Sequence, residues 1–103
     1  MSDRLLQFRH KVSENPDNFL YKYSLAQLLF EKGKFEEAVN LFEHCLAAKP
    51  EWMMASLFLA KTHLALGNKD LAIKYLELTK KLAAEQSHDD PFHEANDLLV
   101  ELG

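Results

Sequence analysis

Residues 29–50, LFEKGKFEEAVNLFEHCLAAKP, return much of their pattern in residues 64–84, LALGNKDLAIKYLELTKKLAA. Gly33 recurs as Gly67, Ala38 as Ala72, Val39 as Ile73 and Phe42 as Leu76, each 34 residues on. A fixed period of this length is the mark of an array. Each unit holds two short helices that cannot bury their apolar faces alone, so neighbouring units must stack into a continuous core.

Within the units, apolar residues recur at spacings of three and four, as in Leu25, Leu28 and Leu29, or Val39, Phe42 and Leu46. The breaks fall at ENPDN, EKGK, AKPE, LGNK and SHDDP, where Pro and Gly interrupt helix. The reading is all-α, with helices near 3–14, 17–32, 35–48, 52–66, 69–86 and 91–102. Gly33 and Gly67 fit left-handed residues closing a helix, and Asp90 before Pro91 fits an N-cap. With only three Gly and three Pro in 103 residues, the chain lacks turn material for an all-β sandwich.

On these residues the sequence resembles the tetratricopeptide repeat family. Residues 19–52 carry Leu25-Ala26, Leu29, Gly33, Ala38, Phe42 and Pro50 at the family's spacing. Residues 53–86 carry Leu59-Ala60, His63, Gly67, Ala72, Leu76 and Ala84. Departures from the family pattern are Lys22 and Ser56 in place of a large aromatic, Leu29 and His63 in place of Tyr, and Ala84 in place of the closing proline. Phe8, Val12 and Pro16 precede Phe42, Leu46 and Pro50 by 34 residues, so 1–18 reads as half a unit. Phe92, Ala95, Asn96, Leu99 and Gly103 restore first-helix spacing after a two-residue insertion near SHDD, and 87–103 reads as a closing half-unit. The resemblance implies one right-handed stack of antiparallel helix pairs over 1–103.

It also implies that the first helix of each pair lines a concave groove that receives a peptide or helix of another protein. The groove positions expected to make contact are Tyr23, Gln27, Leu57, Phe58, Lys61, His93 and Asp97. Leu57, Phe58 and Met54 fit equally well as packing residues against the terminal helices. The carboxylate clamp of some family members is absent, because its places hold Tyr23, Gln27, Phe58, Asp90 and Glu94. A groove that is apolar in the middle and acidic at its C-terminal end suits apolar anchors mixed with basic residues.

Charge points the same way. Residues 1–84 hold all twelve Lys and Arg against ten acids, while 85–103 hold six acids and no base. A net charge of −4 argues against general binding to nucleic acid. The single cysteine, Cys45, cannot form an intrachain disulfide, and no apolar run approaches the ~20 residues that cross a bilayer. The chain is expected to be cytoplasmic, away from membranes.

Chemistry is sparsely represented. HDDPFHE gathers His88, Asp89, Asp90, His93 and Glu94, but helix-capping chemistry accounts for the acids. Cys45 and His44 are adjacent on a helix and point about 100° apart, so they are not a nucleophile and its base. Trp52, just past Pro50, reads as a packing anchor between units. No metal or other cofactor is expected, and no enzyme activity. The function read here is a non-catalytic interaction module for a protein or peptide whose identity the sequence does not specify. The alternative is a homo-oligomer assembled through the groove or the terminal helices.

Overall fold

The computed structural model describes residues 3–103; Met1 and Ser2, the start of the expected N-terminal half-unit, lie outside the described residues. Among the described residues there are six helices and no strand. They are α1 (Asp3–Glu14), α2 (Phe19–Glu31), α3 (Phe35–Ala48), α4 (Met53–Ala65), α5 (Lys69–Glu85) and α6 (Asp89–Leu102).

The turns follow from local chemistry. Asn18 opens α2 by accepting the Tyr21 N–H on its side-chain oxygen at 3.0 Å. At the other end Gly33, with φ +78°, donates to the Phe30 carbonyl while Lys34 donates to that of Leu29. Gly67 (φ +79°) and Asn68 repeat the arrangement on Leu64 and His63. This is the Schellman closure, which satisfies the last carbonyls of a helix and favours glycine because a Cβ is strained at positive φ.

Helix α5 uses the same closure without glycine. Ser87 sits at φ +59°, donates to Ala84, and His88 donates to Ala83. Alanine in place of the closing proline at 84 therefore does not blur the exit from α5. The last helix differs from expectation: it begins at Asp89, with His88 at the cap, so Asp90 is no N-cap. Pro91 is accommodated because first-turn N–H groups have no intrahelical acceptor, and the acids there face the positive end of the helix dipole.

Each helix packs chiefly on its sequence neighbours. In addition, the backbones of α2 and α4 approach one another, as do those of α4 and α6, whereas no such approach joins α1, α3 and α5 among the described residues. The even-numbered helices thus lie on the inside of the curve. Helix α4 is central, with eight buried residues, while α1 has none. One core cluster joins Leu25, Ala26, Leu29, Ala38, Phe42 and Leu59; a second joins Leu57, Ala60, Leu76 and Ala95. Small residues at 26, 38, 60, 72 and 95, all fully buried, let the helices come close. No helix among the described residues is long and apolar enough to cross a membrane.

Candidate functional site: the inner face of the stack

The inner face is built on aromatic side chains. Tyr23 of α2 meets Trp52 with ring centroids 4.8 Å apart, Phe42 at 5.9 Å and Phe58 at 6.2 Å, the last two edge-on. Phe58 of α4 stacks on Phe42 at 5.6 Å and meets Phe30 at 5.8 Å. Gln27, one turn beyond Tyr23, donates its amide to the Tyr23 hydroxyl at 3.4 Å. Burial, and to a lesser degree Cys45, pushes the Tyr23 phenol up to about 12, so at neutral pH it is a neutral donor.

Lys61 completes the strip. It lies one turn past Phe58, places its Nζ 5.3 Å from that ring's centroid, and pairs with Glu94 of α6. The Lys61 and Glu94 side chains are 28% and 45% exposed. With its carboxylate reachable by water, such a pair contributes on the order of 1 kcal/mol to the fold. Tyr23, Gln27, Phe58, Lys61 and Glu94 thus form a continuous path from α2 through α4 to α6.

Three of the seven expected contact residues do not join that path. Leu57 is fully buried between α5 and α6, against Leu76 and Ala95, and this corrects its assignment to the groove surface. It shares helical spacing with surface positions, but its face of α4 is the one that α5 and α6 cover. His93 is exposed but lies with His88, Asp89 and Phe92 around a separate cleft of about 360 Å³ at the end of α5. Asp97 is exposed on α6. Among the described residues no group of three or more His, Cys, Asp or Glu side chains is placed to hold a metal ion.

Two features escaped the sequence reading. Glu94 is the counter-ion of Lys61, a pairing across α4 and α6 that no spacing within one helix indicates. Trp52 packs on Tyr23 and also lines, with Leu20 and Pro50, a shallow cleft of about 470 Å³ at one end of the inner face. Cys45 is a buried thiol whose Sγ lies 3.6 Å from the Phe19 carbonyl. Burial pushes it up to about 11, which leaves almost no thiolate at neutral pH.

Residues 18–103 match the family model described as regulator of microtubule dynamics protein 1-3. No curated protein matches the sequence. Solved structures similar to this chain include a tetratricopeptide repeat domain protein from Salinibacter ruber. Its crystal structure is 22% identical, covers 84% of this chain and 96% of that chain, and gives a TM-score of 0.76. Its solution structure is 23% identical over 85% and 89% of the two chains, with a TM-score of 0.76. A protein from Bordetella parapertussis is 20% identical over 99% of this chain and 89% of that one, with a TM-score of 0.85. At these identities the likeness concerns the fold: a tetratricopeptide-like helical repeat.

Proposed function

Because the chain belongs to the regulator of microtubule dynamics protein 1-3 family, we propose that it acts by binding and not by turnover, holding a segment of another protein against its inner face. The observation that carries this reading is the unbroken strip from Tyr23 and Gln27 through Phe58 and Lys61 to Glu94. It combines partly exposed aromatic surface, a side-chain amide and charges at the rim, the mixture that interaction surfaces use. The unit that binds is one domain, made of repeats 19–52 and 53–86 between half-units 1–18 and 87–103. Exposed Asp97 of α6 extends the rim. The reduced, buried thiol of Cys45 suits a cytoplasmic setting.

The test is site-specific photo-crosslinking, with a benzophenone amino acid placed at Gln27 on the inner face or at exposed Lys74 on α5. A partner joined from position 27 and not from position 74 supports the reading. Equal crosslinking from both positions, or from 74 alone, removes it. The family name makes polymerised tubulin a partner to include in that experiment.

A second reading, association between copies, rests on Leu6 of α1 and Val100 of α6, which are 68% and 71% exposed. Sedimentation over a wide concentration range decides it: a mass that stays that of one chain excludes this reading.

A further inference from the structure

Lys61 spends its charge on a neighbour that gains little for the fold. Its Nζ stands over the Phe58 ring and pairs with Glu94, with the lysine half-buried and the carboxylate exposed. We propose that Lys61 is an internal stand-in for a basic side chain of the partner, and that the bound segment is basic with an adjoining apolar anchor. On binding, a partner lysine or arginine takes the place over Phe58 and on Glu94, and Lys61 turns out into water. This rests on the inner-face reading above and adds to it the chemistry of the occupant.

Three observations support the choice of a cation. First, residues 85–103 carry six acids and no base, so even with Glu94 paired, exposed Asp97 and Glu101 leave this rim negative. An acidic segment is repelled there and a basic one drawn in. Second, the half-buried Phe58 ring already carries a cation, with a carboxylate beside it, a combination that fits arginine better than lysine because the planar guanidinium stacks and bonds a carboxylate with two N–H groups. Third, an ion pair whose carboxylate is exposed exchanges one cation for another at modest cost. Tyr23 and Gln27, next along the strip, supply aromatic surface and an amide for the anchor and its backbone.

The stand-in role reverses the sign expected of a contact residue. A lysine that grips the partner weakens binding when removed, whereas one that competes with the partner strengthens it. The probe is a short synthetic peptide of alternating leucine and arginine, with its glutamate counterpart as control, titrated at low salt and followed by backbone amide NMR shifts. For Lys61→Met the expected result is affinity tighter by about threefold, and for Glu94→Gln weaker by about tenfold, with the helical spectrum of both variants unchanged. Weaker or unchanged binding by Lys61→Met overturns the stand-in role, while shifts that stay centred on Tyr23 and Gln27 then leave the inner-face reading standing. Shifts confined to residues outside α2, α4 and α6 overturn both. Equal binding of the glutamate peptide overturns the basic occupant, as do inner-face shifts on concentrating the protein without peptide, which would make a second copy the occupant.

Discussion

His63 stands where the family pattern favours tyrosine, and it is 4% exposed. Its ring lies parallel to Tyr75 at 5.8 Å, and the Asn68 amide donates to its Nδ1 at 3.2 Å, which places the proton on Nε2. Nε2 has no protein partner among the described residues. Burial holds the imidazole below the usual histidine value of 6.5, with Glu43 opposing weakly. The unfolded chain therefore binds this proton at a higher pH than the folded one. Stability from the neutral ring is complete above about pH 6.5 and is lost as the pH falls through that value toward the folded one. Thermal melts between pH 7 and 5 should show a steeper fall in Tm for the wild type than for His63→Gln; parallel curves would remove the effect from this residue. Ser56, another departure from an aromatic, is explained by packing. It donates to the Tyr75 carbonyl at 3.0 Å and accepts from Thr79 at 2.9 Å, fully buried between α4 and α5, where a large ring has no room. Sequence spacing marked both positions as unusual. It could not say which helix each faced, and the same blindness placed Leu57 on the surface.

The helices themselves were legible because the 34-residue frame, the periodicity and the two glycines agree. Ends were less so. The expected limits at 17–32, 52–66 and 69–86 shorten by three, two and one residues, and α6 starts two residues earlier than Pro91 suggested. The closure of α5 was invisible because its left-handed residue is a serine. For an L-residue that conformation costs roughly 1–2 kcal/mol, part of which glycine's freedom in the unfolded chain returns. Ser87→Gly should therefore stabilise the protein by about 0.5–1 kcal/mol, a rise of several degrees in Tm for a domain of this size. A lower Tm would show that the serine side chain contributes more than its backbone strain costs.

Across the whole molecule, burial is graded from the centre outward. Helix α4 holds eight buried residues, and α1 holds none, resting on half-buried Leu5, Phe8 and Val12 and on the Arg9–Glu37 pair at 2.9 Å. That two-pronged pair bridges α1 to α3 but is exposed, so its contribution is at most about 1 kcal/mol. Native-state hydrogen exchange should show the slowest amides in α4 and the fastest helical amides in α1. Arg9→Ala should speed exchange in α1 and leave α4 unchanged; a uniform change across all six helices would mean that the stack opens only as a whole.

The packing of each helix on its sequence neighbours sets how such a chain can grow. The unit 53–86 already presents one side shaped to fit α3 and another shaped to fit α6. A second copy inserted after residue 86 would meet a surface like the one it left, so a gene can lengthen this protein by duplication without inventing a new interface. Length can then change in whole units, and the inner face lengthens with it in steps of one helix pair.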